Sequence, residues 1–486
     1  MGGIDLRLFD ILEDNERAGL IDCEIGKITD DTRKLQPGDI FVAITGRNFD
    51  GHAACADMLA KGAAAVVVER DMGLDRQIKC DDTRKMFSVL SSRYFGEPTK
   101  QLKLIAATGT NGKTTTVNII KHIMNECGHP CGCIGTAGYD VCGKVYEAHL
   151  TTPYQFDLYG YFREMLDNGA EYCVMEASSQ ALSQSRFVGE TFECGIFTNL
   201  TQDHLDWHGT MENYYQAKKS LFNCCKAAVI NVDDKWGKRL YDELSVESGI
   251  KLTALSENEM TDVSACRVIP ESGRVSYMLA VKGAEKAFPV SIPMPGRFNV
   301  MNSMSAAAAC IEAGLTADEA VKALNTVKGV CGRAEVLYDG NFTVICDYAH
   351  TEDGLEKTLS AIKPFVKRRL IVVFGAAGER DAGKRPAMGS CVARYADIAV
   401  VTSDNPRFED PQSIIDMVLT GFDGAGGCEV RSYVDRLDAI KYAVGIARKG
   451  DVIALCGKGH EEYQVIGDNY MPFSEHKIIK ELCSGS

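Results

Sequence analysis

Short apolar runs alternate with longer amphipathic stretches along most of the 486-residue chain. The runs 39–44 and 63–68 read as strands, and 52–61 between them reads as a helix. The cluster Gly96-Glu97-Pro98-Thr99 ends this small α/β unit. Strands are then predicted at 102–107, 133–136, 172–175, 194–199 and 227–230, with helical patterns between them. Such alternation predicts a mainly parallel sheet with helices on both faces. The stretch 252–293 alternates in shorter runs and predicts antiparallel strands, followed by a small-residue helix over 302–312. Past the turn at 329–332, apolar runs at 343–346, 370–374, 398–402 and 452–455 predict a second, doubly wound sheet of Rossmann-like character. The fold class is therefore α/β in three domains, 1–100, 101–330 and 331–486, the central one built on a P-loop-type sheet.

The most informative polar stretch follows the run 102–107: Thr108-Gly109-Thr110-Asn111-Gly112-Lys113-Thr114-Thr115. A strand, a glycine-rich loop and a helix start are the setting of a phosphate-binding loop. The glycines let backbone N–H groups turn toward a polyanion. Lys113 and the helix N-terminus add positive charge, and Thr114 or Thr115 can offer a hydroxyl to Mg²⁺. The first position of the general G-x-x-x-x-G-K-[ST] frame holds Ala107, so a narrower T-G-T-N-G-K-T-T pattern fits better.

Composition narrows the function classes. The formal net charge of -14 argues against broad nucleic-acid binding. No basic stretch precedes an apolar core at the N-terminus, and no run of about 18 apolar residues occurs, so a cytoplasmic chain without a membrane span is expected. The 19 cysteines are irregularly spaced, which fits a reducing compartment. The tightest group, Cys127, Cys131 and Cys133 with His129, lacks a second ligand pair at zinc-finger spacing and is read as structural.

Further polar clusters sit just after apolar runs, where open parallel sheets gather function. Glu176-Ala177-Ser178-Ser179 follows one run, and Glu176 suits a hard cation. Asn199 to Asp206 follows another, with His204 as a second ligand or a proton-transfer group. In the amphipathic stretch 214–222, Lys218 and Lys219 read as solvated surface cations. In the third domain, post-strand loops carry Arg380, then Asp404-Asn405-Pro406-Arg407, then Gly457-Lys458-Gly459-His460-Glu461. Mixed charges converging on one edge suit a zwitterion such as an amino acid. Arg380 and Arg407 can fork onto carboxylates, and Asp404 and Glu461 can face ammonium groups.

Taken together, T-G-T-N-G-K-T-T at 108–115, T-T-P at 151–153, M-E-A-S-S at 175–179, N-L-T-Q-D-H-L-D-W-H-G at 199–209, D-Y-A-H at 347–350, D-N-P-R at 404–407 and G-K-G-H-E at 457–461 resemble the Mur ligases. These ATP-dependent enzymes extend the peptidoglycan stem peptide, and the likeness is greatest to the members that add its third residue. A folylpolyglutamate synthetase-like enzyme shares the phosphate loop but should lack D-N-P-R and T-T-P. A ligase that adds the next dipeptide, and a nucleotide-binding protein that has lost catalysis, are the other rivals.

The resemblance implies ATP and Mg²⁺ as cofactors. It implies a UDP-N-acetylmuramoyl dipeptide as one substrate and meso-diaminopimelate as the other, with L-lysine or another diamino acid as the alternative. Thr32 in Asp31-Thr32-Arg33, with Arg47, Asn48 and Phe49, would contact uridine. Thr151, Thr152, Ser178, Gln184 and Arg186 would contact the sugar nucleotide and its peptide; Leu150 stands where relatives often have Asn. Gly109 to Thr115 would hold the phosphates, and Asn299, Arg333 and Asp347 the adenine, phosphate and ribose. Lys113, Glu176, His204 and Lys218 would be catalytic. Lys218 would be carbamylated to N6-carboxylysine and join Glu176, His204 and Thr114 or Thr115 around Mg²⁺. Arg380, Asp404 to Arg407, Gly457 and Glu461 would bind the amino acid, and Arg407 would pair with the second carboxylate of meso-diaminopimelate. The implied reaction passes through an acyl phosphate, with closure of the third domain and a monomeric enzyme expected.

Overall fold

The structure, a computed structural model, describes residues 6–484 except 47, 48, 248, 272 and 425. The chain divides into two compact units. The first is Met1–Ala254 with Ala308–Gly314, and the second is Leu255–Ala307 with Leu315–Ser486.

The first unit opens with a four-stranded parallel sheet in the order Ile28–Thr29, Ile40–Val42, Ala65–Val68, Gln77–Lys79. Alternation along its strands separates two cores. Ile40, Val42, Ala65 and Val67 join Phe87 and Leu90 of the helix Thr83–Tyr94 on one face. Phe41, Val66 and Val68 join Met58 of the helix Cys55–Ala60 on the other. A parallel sheet covered on both faces needs such unbroken apolar runs. The predicted helix 52–61 is a 3₁₀ turn, Gly51–Ala54, running into that short α-helix. The Asp50 side chain accepts the His52 amide and caps its start.

The larger sheet of this unit runs Cys225–Asn231, Phe192–Phe197, Lys103–Thr108, Tyr172–Glu176, Cys131–Gly135, all parallel. An antiparallel hairpin, Gly138–Val141 and Lys144–Tyr146, extends its last edge. Each strand predicted from an apolar run is present here, within one to two residues at most ends. Lys103–Thr108 lies inside the sheet, and the chain later leaves it toward both sides, which opens a crevice at the strands' carboxyl ends. Thr108 stands beside Phe197, and Ala107 beside both Glu176 and Ile196, so three post-strand segments emerge side by side.

In the second unit, Val263–Pro270, Val275–Val281 and Phe288–Ile292 pair antiparallel, as the shorter alternation predicts. The small-residue helix begins earlier than expected, at Phe298. A six-stranded sheet follows in the order Glu335–Asp339, Thr343–Asp347, Val452–Cys456, Leu370–Phe374, Ile398–Thr402, Glu429–Tyr433. Only its first pair is antiparallel. Leu370, Val372 and Phe374 face one core while Ile371 and Val373 face the other, which is the doubly wound pattern. The edge strand Glu429–Tyr433 carries charged, exposed residues, so it has no apolar run to mark it in the sequence. No described helix is long and apolar enough to cross a membrane.

Candidate active site

The glycine-rich loop at 108–115 is pinned by the segment after Phe192–Phe197. The Thr110 amide donates to the Asn199 carbonyl at 2.9 Å, and the Asn111 amide to the Asn199 side chain at 3.0 Å. The Thr198 hydroxyl donates to the Asn111 carbonyl at 2.6 Å. Gly109 has φ 146°, and a Cβ there would lie 1.9 Å from Thr198 Oγ1. The close approach therefore requires glycine. Ala107, by contrast, sits inside the strand between two partners, where the general frame's first glycine has no task. Lys113 starts the helix Lys113–Glu126 and donates to the carbonyls of Gly109 and Thr110 at 2.8 and 2.9 Å. Thr114 and Thr115 lie in that helix's first turn and are both buried.

Lys218 is not the solvated cation that helical amphipathicity suggests: it is 1% exposed. It lies on the helix Met211–Lys219, and its Nζ donates to the same Gly109 carbonyl at 2.8 Å. Burial, then the nearby Lys113 charge, hold its ammonium well below the usual lysine range, which favours the neutral amine. Lys219 is also partly buried and pairs with Glu243 at 2.9 Å. The ring of Tyr214, one helical turn before Lys218, organises this corner. Lys218 Nζ stands 4.6 Å from its centroid, His208 stacks on it at 5.0 Å and His204 meets it edge-on at 6.1 Å. His204 has φ 52° and stays about half-exposed, with Nε2 3.4 Å from Asp203. Its hydrogen bonds do not reach Glu176 or Lys218.

Glu176 ends its strand and is 1% exposed. Its carboxylate accepts the Thr136 amide at 2.7 Å and the Thr136 hydroxyl at 3.3 Å. Thr136 also donates to Thr151 at 3.3 Å, and Thr152 donates to the Glu176 carbonyl at 2.7 Å. The Ser178 amide donates to the Thr152 hydroxyl, and the Ser178 side chain caps the helix Ser179–Ser183. Arg186 is buried against the Thr152 carbonyl and forks onto Gln184 Oε1, with its guanidinium 4.4 Å from the Tyr154 ring. The T-T-P segment, Glu176, Ser178, Gln184 and Arg186 are thus one connected patch. Thr32 lies in an early turn, next to Arg33, which pairs with Asp31. Phe49 is exposed, and Arg47 and Asn48 lie outside the described residues.

In the second unit, Asn299 is fully buried in the first turn of its helix, bonded to the Pro295 carbonyl and to Asn302. Asp347 accepts the amides of Ala334 and Ala349 and the Thr358 hydroxyl. Burial raises its pKa despite the Arg333 charge. Arg333 lies over the Tyr348 ring at 4.8 Å. The loops after the strands do converge. Asn405 Nδ2 donates to Glu461 at 3.0 Å, Gln464 to the Asp404 carbonyl at 2.7 Å, and the Gly457 amide to the Asp347 carbonyl at 3.0 Å. The ammonium that Asp404 and Glu461 face is the chain's own. Lys458 is fully buried, with Nζ 3.0 Å from Glu461 and 3.5 Å from Asp404. Arg407 follows Pro406 at φ 54° and pairs with Val465 through its backbone, while its Nε is buried with no hydrogen-bond partner among the described residues. Arg380 is exposed.

Three family profiles match this chain: the Mur ligase family catalytic domain over residues 24–95, the Mur ligase middle domain over 107–310, and the Mur ligase glutamate ligase domain over 332–459. The UDP-N-acetylmuramoyl-L-alanyl-D-glutamate–2,6-diaminopimelate ligase of Clostridium perfringens is 38% identical over 485 residues, covering 98% of both chains. The chain belongs to the Mur ligase family. The ligase of the same name from Geobacillus thermodenitrificans is 39% identical over 464 residues, 93% of each chain. A solved structure of a ligase of that name has a TM-score of 0.71 at 32% identity, covering 95% of both chains. The folylpolyglutamate synthase of Mycobacterium tuberculosis matches with a TM-score of 0.62 at 17% identity, covering 76% of this chain and 92% of that one. That likeness is one of fold.

Within this Mur ligase, the residues present fit a hard divalent cation. A Cβ on Gly135 would fall 2.4 Å from Glu176 Oε1, so glycine there leaves the carboxylate its room. Two protein hydrogen-bond donors leave that carboxylate further lone pairs for a cation. Several contributors carry no motif of their own. Thr136 and Thr198 act through hydrogen bonds to Glu176 and the Asn111 carbonyl, and Tyr214 through ring contacts with Lys218, His204 and His208. Only their neighbourhood after strands hints at this.

Proposed function

We propose that this chain is the ATP-dependent ligase that joins meso-diaminopimelate to the D-glutamyl side-chain carboxylate of UDP-N-acetylmuramoyl-L-alanyl-D-glutamate, a step of peptidoglycan precursor synthesis. The substrate carboxylate attacks the γ-phosphorus of ATP, ADP departs, and an acyl phosphate forms. The amine of the incoming amino acid then attacks the acyl carbon, and phosphate leaves as the amide forms. Lys113 and the amides of Gly109 to Thr115 would neutralise charge on the phosphates. Mg²⁺, held by Glu176, His204, carbamylated Lys218 and Thr114 or Thr115, would supply Lewis-acid charge to them when bound. A buried neutral lysine amine is the form that adds CO₂, and the carbamate so formed is an oxygen ligand.

Residues of the second unit would take the adenosine end of ATP through Asn299, Arg333 and Asp347, and the amino acid through Arg380, Asp404, Asn405, Pro406, Arg407, Gly457 and Glu461. Thr32, Arg47, Asn48, Phe49, Thr151, Thr152, Ser178, Gln184 and Arg186 would hold the sugar nucleotide. On this reading the functional domains are 1–100, 101–330 and 331–486, and the enzyme works as a cytoplasmic monomer.

The observation that carries the choice of amino acid is Arg407, with a buried Nε unmatched by any described acceptor. A buried unmatched donor costs about 1–3 kcal/mol, which a ligand carboxylate would recover. Lysine has no distal carboxylate. A panel of diamino acids tested for substrate-dependent ADP release checks this. Meso-diaminopimelate should be preferred, and Arg407→Ala should lower its kcat/KM by about 30-fold or more, the equivalent of ~2 kcal/mol. Preferred turnover of lysine by the wild-type enzyme would overturn the choice.

A further inference from the structure

Away from the residues above, Cys331, Glu335 and His476 bring a thiol, a carboxylate and an imidazole together in the second unit, with their ligand atoms all within 4.8 Å of one another. Cys331 lies in the loop before the strand Glu335–Asp339, Glu335 is that strand's first residue, and His476 is the second residue of the helix Glu475–Cys483. The Cys331 Sγ to His476 Nε2 distance is 3.6 Å, and His476 Nε2 to Glu335 Oε2 is 2.8 Å. A tetrahedral ion with Zn–S of about 2.3 Å and Zn–N of about 2.05 Å needs its sulfur and nitrogen about 3.6 Å apart. The nitrogen–oxygen pair must open only to about 3.4 Å.

We propose that Cys331, Glu335 and His476 form a three-ligand site for Zn²⁺ or a similar borderline divalent cation, with water as the fourth ligand. Thiolate, imidazole and carboxylate together favour such an ion over Mg²⁺, which takes oxygen donors. One thiolate and one carboxylate cancel its double charge. The Gly332 amide donates to Glu335 Oε2 at 2.7 Å and already orients the carboxylate. Cys331 is exposed, so the ion has a way in. Cys331 is two residues from Arg333, and the Gly332 carbonyl accepts the Tyr348 amide at 2.9 Å. A bound ion would therefore tie the C-terminal helix to the loop that carries Arg333.

The test uses the full-length protein, stripped by chelator and titrated with Co²⁺ in excess Mg²⁺, which keeps hard-cation sites filled. One equivalent should produce a near-ultraviolet thiolate-to-cobalt band that Zn²⁺ displaces, and Zn²⁺ should raise the thermal midpoint. Cys331→Ser should abolish the band and the thermal shift, and His476→Gln should weaken Co²⁺ binding at least tenfold, each thermal shift being read against that variant's own metal-free midpoint. Absence of a thiolate band in the wild-type protein, or its persistence in Cys331→Ser, would overturn the site.

Discussion

Replacing Gly109 by Ala tests whether the phosphate loop depends on its packing against the neighbouring strand's exit. The new methyl would start 1.9 Å from Thr198 Oγ1 and 3.1 Å from the Asn199 amide. Reaching ordinary contact at 3.4 Å requires about 1.5 Å of movement. A φ of 146° is essentially a glycine conformation, so the backbone adds about 1–3 kcal/mol of strain. Displacing the Thr198 hydroxyl also gives up its hydrogen bond to Asn111, worth about 1 kcal/mol. The total, about 2–4 kcal/mol, is below the ~5–15 kcal/mol that usually holds a domain folded, so the variant should fold with a lower urea midpoint. The Gly109 carbonyl orients both Lys113 and Lys218, so moving it displaces two cationic side chains at once. A misplacement of about 1 Å in such a site costs on the order of 100-fold. Calorimetric titration with ATP and Mg²⁺ should show affinity reduced at least tenfold. The control is Ala107→Gly, which completes the general frame inside a strand. It should cost about 0.5–1 kcal/mol of stability and bring no gain in affinity. Wild-type ATP affinity in Gly109→Ala, or improved affinity in Ala107→Gly, would refute the argument.

Two further outcomes are expected. Lys218→Met keeps the bulk of the buried side chain but cannot be carbamylated; losing about 4 kcal/mol of charge stabilisation predicts turnover about 10³-fold lower. A carbamate resonance from ¹³C-bicarbonate should appear in the wild type only, and short carboxylates should partly restore the variant. Undiminished turnover in Lys218→Met would rule out the carbamate. At Glu243, burial alone would raise the carboxyl pKa, but hydrogen bonds from Tyr215, Lys219 and Arg239 outweigh it and pull it down to about 2 from 4.5. A depressed carboxyl stabilises the fold above its unfolded value and loses that contribution as pH falls. Urea midpoints of wild type and Glu243→Gln should therefore differ most above about pH 5 and converge toward pH 2. A difference independent of pH would contradict this.

Apolar runs and turn residues already place most of the buried parallel strands, the glycine-rich loop at 108–115 and the order of the post-strand clusters. These features rest on constraints that act within a few residues: apolar runs for covered parallel strands, glycines where backbone must turn, a lysine at a helix start. The predicted runs at 370–374 and 398–402 match the observed strands to the residue for that reason. Tertiary structure alone decided what those residues face. Lys218 reads as surface because its helix is polar overall, yet the end of an adjoining strand covers it and leaves a backbone carbonyl as its acceptor. Asp404 and Glu461 read as free anions until Lys458, 54 and 3 residues away in the chain, fills the space between them. Cys331 and His476 meet across 145 residues, a proximity no local pattern encodes. Desolvation and charge pairing depend on which strands become neighbours, and that is set by the packing of the whole sheet.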